Sequence, residues 1–302
     1  MLQTYEAEAL TLLSSLLWGT SFAAVKMGLE QLNPLWFMEW RLLLASLLLV
    51  PFYWTKGLWP SYLRNFRIWR LGFFNGAGFL LQYLGMQYTT ASKAAFFVNF
   101  GFIFVAILSY FFLQEAFGKW KFFGLGMAFL GVFLLSTGGD VASWRQGNPA
   151  GDGMVLAAGL LWAVYMVLTK KTLMEPNIRV APLTAAVMFT SSMWFLLPVL
   201  IWGRLAFAGT VTGWAILVYC AVFCTVIPAL LWAKALRSMM PTVSAVILLA
   251  EPVFASIIAF IVLGERFAPV EIIGALMILA AMFLVSFGEE KKELVLAASK
   301  EQ

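Results

Sequence analysis

The chain of 302 residues has no histidine at all. The commonest acid/base shuttle near neutral pH is therefore missing. Cysteine is almost absent too, with Cys220 and Cys224 as i,i+4 neighbours in an apolar run. Two thiols with no imidazole cannot supply the ligands of a metal site. They read as packing residues, and no metal or cofactor is expected. Charged residues make up 12% and apolar residues 62%, where a soluble domain runs at about a quarter and about a half. No Asp falls inside an apolar stretch and no Cys–His pair exists. A nucleophile, a base and an electrophile cannot be assembled from that inventory, so an enzyme is not expected. The chain reads as helix dissolved in a lipid bilayer, with no nucleic-acid partner.

What is present is length of apolar helix. A spanning helix needs about 20 apolar residues. Ten such stretches can be read: 9–29, 34–54, 68–88, 92–113, 119–138, 153–173, 181–202, 212–235, 241–263 and 269–288. Turn signals separate them, among them Asn33-Pro34, Gly138-Gly139, Pro176, Pro241 and Pro269. The segment 55–67 suits a short interfacial helix, with Trp59, Tyr62, Arg64 and Trp69 as boundary anchors. The opening residues carry acids and no basic n-region, so the first stretch is expected to stay in place.

Lys and Arg set the orientation. With the N-terminus inside, the inner loops hold 14 of them, from Lys56 to Lys300. The outer ends hold five: Lys26, Lys93, Arg145, Arg204 and Arg266. That bias predicts both termini on the cytoplasmic side.

The chain also repeats itself. The segment around Glu115 and the segment around Glu265 share one pattern: an apolar stretch, a polar knuckle ending in Glu, a turn, and a second apolar stretch rich in small residues. Trp18 and Trp162 pair in the same register as Lys26 and Lys170, and Pro51 pairs with Pro198. Five helices per half is odd, so the second half enters the membrane upside down. Inverted repeats place a substrate site at their interface near the midplane. The expected architecture is all-α, ten transmembrane helices in two inverted five-helix repeats, 1–140 and 141–288, with a cytoplasmic tail over 289–302.

Four motifs carry a family likeness: Leu16-Leu17-Trp18-Gly19, Arg41 in the second span, Leu249-Ala250-Glu251-Pro252-Val253, and Leu263-Gly264-Glu265-Arg266. Gln114-Glu115 is the first-half version of the last. In this order and doubling, over roughly residues 8–288, the chain resembles the EamA-type transporters of the drug/metabolite transporter superfamily. The resemblance implies transport of amino acids, other metabolites, sugars or drugs, without fixing the cargo. One departure stands out. The first half has Phe102 where the second has Pro252, so its fourth span is expected to be less kinked.

Ionisable residues inside spans are expensive and mark candidate sites. Glu251 falls near the midpoint of the ninth span, with Pro252 freeing a backbone carbonyl one turn back. It reads as a site for a substrate ammonium or a proton, or as a structural acid at a kink. Arg41 can hold a substrate carboxylate, or neutralise Glu39 or Glu251 and lock helices together. It cannot face Glu39 on its own helix at i,i+2. Lys26 and Lys170 end their spans and are expected to snorkel. A second tier is uncharged: Asn75, Gln82 and Tyr83 on the third span, and Asn99 on the fourth. These line a cavity or glue helices together. Trp18, Trp162 and Tyr165 sit within spans, as cavity walls or as bulky packing.

The reading is a cell-membrane secondary transporter working by alternating access. Its partners are a small-molecule substrate and lipid, with protons as the candidate coupling ion. Few fixed charges and many aromatics favour amino acids or amino-acid-like compounds, moved outward. A sugar-phosphate, nucleotide-sugar or drug carrier is the alternative within transport, and a receptor or scaffold the alternative outside it. Nothing in the sequence decides between monomer and dimer. Reporter fusions at residues 145 and 302 should report opposite sides of the membrane; same-side signals would overturn the topology.

Overall fold

The computed structural model describes residues 2–29, 31–51, 59–139, 148–202, 210–263 and 266–298. Of the sequence landmarks, Lys56, Arg145, Arg204, Gly264, Glu265 and Lys300 lie outside these residues. So do the side chains of Lys26, Trp59, Lys291 and Lys292.

Among the described residues all regular structure is helical. The elements are α1 (Leu2–Leu29), α2 (Pro34–Leu49), α3 (Trp59–Arg64), α4 (Phe66–Gly85), α5 (Ala91–Asn99), α6 (Gly101–Leu113), α7 (Lys119–Thr137), α8 (Pro149–Leu173) and α9 (Val180–Trp202). Then come α10 (Val211–Ala221), a π-turn (Val222–Val226), α11 (Ile227–Ser238), α12 (Pro241–Leu248), α13 (Ala250–Ile258), a second π-turn (Ala259–Leu263) and α14 (Pro269–Ala298). Seven of the resulting helical segments are long and apolar enough to cross a membrane, starting at Lys93, Lys119, Pro149, Val180, Val211, Pro241 and Pro269. The other long elements are α1, α2 and α4. Helix α1 carries Glu6 and Glu8 near its start, α2 runs for 16 residues, and α4 opens with Arg67 and Arg70.

Local chemistry sets the helix ends. Asn33 caps α2, its Oδ1 accepting from the Leu35 N–H at 3.0 Å, with Pro34 at the first helical position. Asn148-Pro149 repeats the device at α8, where Asn148 Oδ1 accepts from the Ala150 N–H at 2.9 Å. Proline there loses nothing, because that N–H would be an orphan anyway. Helix α8 has Asp152 in its first turn and Lys170 and Lys171 in its last, charges placed to complement the helix dipole.

Small residues let the helices approach. Helices α7 and α14 pack along their lengths. A Cβ on Gly274 would stand 2.5 Å from the Leu135 nitrogen, and one on Gly131 would stand 2.8 Å from the Gly274 carbonyl. Helix α8 packs on α4 and α6, and α1 on α11 and α13. Helix α9 packs on α2 and α4.

Two expectations need correction. The fourth span is interrupted at Phe100, as the ninth is at Leu249, although no proline follows Phe100. At both points the ladder tightens to an i→i−3 bond, Ile103 N–H to the Phe100 carbonyl at 3.0 Å and Leu249 N–H to the Val246 carbonyl at 3.1 Å. The first-half break falls beside Gly101, where a Cβ would meet the Gly159 carbonyl at 2.9 Å. Close backbone contact stands there in place of proline. Tyr62 is not an interfacial anchor. It is buried, and its hydroxyl accepts from the Arg179 N–H at 2.8 Å. The last apolar span, read as 269–288, falls at Pro269–Glu289, and its helix runs on to Ala298.

The α7–α14 contact makes a clean test. Gly274→Leu should lower stability by about 1–3 kcal/mol, the usual cost of overpacking. Gly126→Leu, where a Cβ meets nothing within 4 Å, should not destabilise. Thermal unfolding in detergent, read as Tm, compares the two.

Candidate functional site

The centre of the site is built on a flaw in a helix. Pro228 has no N–H, so the Cys224 carbonyl lacks its ordinary i+4 donor, and the proline ring would collide with that carbonyl in a regular helix. The backbone widens into the π-turn Val222–Val226, a distortion found often at functional sites. Arg41 of α2 fills the gap. Its Nη2 donates to the Cys224 carbonyl at 2.6 Å and its Nε donates to Thr225 Oγ1 at 2.6 Å. The Thr225 hydroxyl in turn donates to the Cys220 carbonyl at 2.9 Å. The guanidinium also lies over the Phe79 ring, 5.9 Å from its centroid, and faces the Tyr83 hydroxyl.

Glu251 completes the charge pattern. It is the second residue of α13, just past the break at Leu249. It stands within electrostatic reach of Arg41, yet among the described residues it makes no hydrogen bond and no ion pair. Although it lies near the middle of its span, it is only half-buried. Helix α1 closes against it at Gly19, where a Cβ would stand 3.0 Å from the Glu251 carbonyl and 2.9 Å from Phe254 Cβ. The next residue of α1 is Thr20, whose Oγ1 lies 3.5 Å from Cys224 Sγ and accepts from the Tyr219 hydroxyl at 3.0 Å.

Aromatic rings wall this centre. Trp162 packs edge-on to Phe79 with centroids 5.1 Å apart, and Phe79 leads to Arg41. Trp18 and Tyr165 flank Trp232, at 6.3 Å and 5.7 Å. The Trp232 indole donates to Ser244 Oγ at 3.2 Å, two helical turns before Glu251.

The sequence-predicted residues thus divide. Arg41, Tyr83 and Glu251 meet in one place, with Trp162 joined through Phe79. Trp18 and Tyr165 meet at Trp232, a residue with no prior signal. Asn75 takes the gluing role, buried with its Nδ2 donating to Ser191 Oγ at 3.0 Å. Asn99 donates back to the Ala95 carbonyl of its own helix at 2.8 Å. Gln82 is half-buried, one residue before Tyr83 on α4. Of the partners weighed for Arg41, Glu39 is not one: its carboxyl accepts from Ser192. Lys170 does not snorkel. It is buried, and its ammonium donates to the Leu236 and Arg237 carbonyls at 3.0 Å each, capping the end of α11. Thr20, Tyr219 and Thr225 were missed. The one available signal was Pro228, four residues after Cys224 in an apolar run.

A second polar cluster lies at one end of the bundle. Lys121 is buried between Glu115, at 2.8 Å, and Glu289. Glu115 also accepts from Thr242 Oγ1 at 2.9 Å and feels the Lys170 ammonium. At the other end, Lys93 and Thr89 both engage Asp152. A cavity of about 650 Å³ elsewhere is apolar, lined by Ile257, Phe260, Ile261, Phe267 and Ile272 with Arg266.

The EamA-like transporter family matches this chain twice, over residues 6–137 and over residues 149–287. The chain belongs to that family. It is 30% identical over 282 residues to an uncharacterized transporter of Archaeoglobus fulgidus, across 91% of this chain and 95% of that one. It is 28% identical over 279 residues to the S-adenosylmethionine/S-adenosylhomocysteine transporter of Chlamydia muridarum, across 86% and 85%. A solved crystal structure with 14% identity shares the fold, with a TM-score of 0.81 over 95% of this chain and 98% of that one. As an EamA-like protein, the chain is a multi-pass membrane transporter.

Pro228→Ala tests the construction of this site. The new N–H would compete for the Cys224 carbonyl and close the π-turn, releasing Arg41. Folded yield should hold while substrate uptake into proteoliposomes falls. Arg41→Lys should also lose uptake, because a single ammonium cannot reproduce the two-point fork.

Proposed function

We propose that the protein moves amino acids or amino-acid-like zwitterions across the cell membrane, outward, by alternating access of two inverted five-helix halves. The observation that carries this reading is the unbonded pair of Arg41 and Glu251. A cation pinned by the π-turn and a carboxylate with no hydrogen-bond partner among the described residues stand within electrostatic reach of each other. A compound with its own carboxylate and ammonium can bridge them, offsetting the cost of two charges inside the bilayer. Aromatic rings on either side suit an apolar or flat side group.

Three further observations support it. The family model fits each half separately. The packing pairs also map onto themselves when the halves are exchanged: α4 on α8 becomes α11 on α1, α6 on α8 becomes α13 on α1, and α7 on α14 returns to itself. Moreover, S-adenosylmethionine, named for the Chlamydia relative, is an amino acid bearing a purine, a shape this centre suits. A sugar phosphate fits less well. It asks for several cations, and Lys170 is committed to the end of α11.

Ten spans, both termini cytoplasmic and the inner membrane as location belong to the same reading, resting on the basic-residue bias and the odd number of helices per half. The test is uptake of a radiolabelled panel into proteoliposomes, comprising amino acids, S-adenosylmethionine and a sugar phosphate. Wild type should move at least one amino-acid-like compound, and Glu251→Gln should lose it by roughly ten-fold or more, as expected for a buried charge contact worth at least 1.4 kcal/mol. Full activity of Glu251→Gln, or flux confined to the sugar phosphate, would reject the reading.

A further inference from the structure

Glu39 takes no part in the site built around Arg41 and Glu251. It lies on α2 and is 1% exposed. One carboxyl oxygen accepts from the Ser192 hydroxyl of α9. The other is buried and has no hydrogen-bond partner. A carboxylate in that setting would be a charge in a hydrocarbon-like interior with one neutral donor, the arrangement proteins avoid by keeping the proton.

Among the described residues no group supplies a counter-charge to Glu39. Helix α9, the main partner of α2, contains no acid, base, tyrosine or cysteine from Val180 to Trp202. Arg41, two residues on, points to the π-turn. Tyr219 and Cys224 of the α10 region are engaged with Thr20, and Cys220 is buried beside them. Tyr83 of α4 faces Arg41. On the same helix Arg67 pairs with Glu175 and Arg70 is exposed. On α1, Glu6 pairs with Lys234 in the open and Glu8 lies in the same early turns, while the Lys26 side chain lies outside the described residues.

The position adds the functional argument. Helix α2 belongs to the first family match and α9 to the second, so the Glu39–Ser192 contact crosses between halves. Motion of one half against the other would part the hydroxyl from the carboxyl and let water reach it.

We propose that Glu39 is the proton-binding site of the transport cycle, separate from the cargo site, protonated while the α2–α9 contact is closed and released when it opens. The inference rests on the transport reading above. Its novelty is the division of labour: Arg41 and Glu251 hold cargo, Glu39 carries the proton.

Two measurements test it, one of them independent of cargo. Infrared difference spectra of purified wild type against Glu39→Gln at neutral pH should contain a protonated-carboxyl band lost in the variant; no such band would overturn the proposal. Proteoliposomes loaded with a pH-sensitive dye are then given a pH gradient and a radiolabelled mixture of amino acids and S-adenosylmethionine. Wild type should accumulate label and move protons together. Glu39→Gln should retain exchange of label across the membrane, which also reports correct folding, and lose gradient-driven accumulation. Glu39→Asp should keep both. Gradient-driven accumulation by Glu39→Gln equal to wild type would overturn the proposal. If wild type moves none of the mixture, the cargo reading fails, and the infrared band with its hydrogen–deuterium exchange decides Glu39 alone: a band that exchanges within seconds supports an opening contact, and one that never exchanges rejects it.

Discussion

Every backbone N–H and carbonyl in the bilayer must find its partner inside the protein, because lipid offers none. That constraint explains where this molecule is allowed to be irregular. Its helices lose their regular ladder at Phe100, at Leu249 and in the turns Val222–Val226 and Ala259–Leu263; the first three pack on other helices, whereas Phe260 and Ile261 in the last are exposed. At the turn, the orphaned Cys224 carbonyl is satisfied by Arg41. A costly charge and a costly carbonyl thus cancel each other's need, and the charge is held in one fixed orientation as a result. The gap that Pro228 opens is what gives Arg41 an address.

The sequence carried the fold further than it carried the site. Apolar runs of the right length located the long helices, and the Asn33-Pro34 pair marked one start to the residue. The doubling around Glu115 pointed to two halves, each of which fits the family model. What stayed hidden were effects of neighbours. Phe100 breaks a helix because Gly101 meets Gly159, a contact between residues 58 positions apart that no local pattern announces. Lys170 read as a snorkelling end residue because its acceptors, the last carbonyls of α11, are supplied by tertiary packing. Asn75 and Asn99 looked like members of a polar stripe. A stripe states that polar groups need partners, but not whether water, substrate or Ser191 provides them. Glu251 and Arg41 were legible because a lone charge in a span is rare. Thr20 and Thr225 were not, because Thr hydroxyls in helices usually bond their own preceding turn, as Thr11 does to the Ala7 carbonyl at 2.8 Å, and Tyr219 was not, because its partner Thr20 lies on another helix.

The two halves share their packing and differ in chemistry. In the register set by Glu115 and Glu265, Glu251 corresponds to Gly101. One half places an acid beside the break. The other places bare backbone, which lets α6 press directly on α8. The same pair of interrupted helices therefore serves as a polar wall on one side of the bundle and as a tight seam on the other.

The ion pairs divide sharply by depth. Arg67–Glu175 and Lys234–Glu6 stand in the open at the rims, with side chains 41–63% exposed, whereas the Glu115–Lys121–Glu289 cluster is sealed. Mobile ions screen exposed pairs over about 8–10 Å at ordinary ionic strength and barely reach buried ones. Added salt should therefore loosen the edges of the bundle and leave its charged end-plug intact. A halotolerant and a freshwater setting would meet different rims on an unchanged interior.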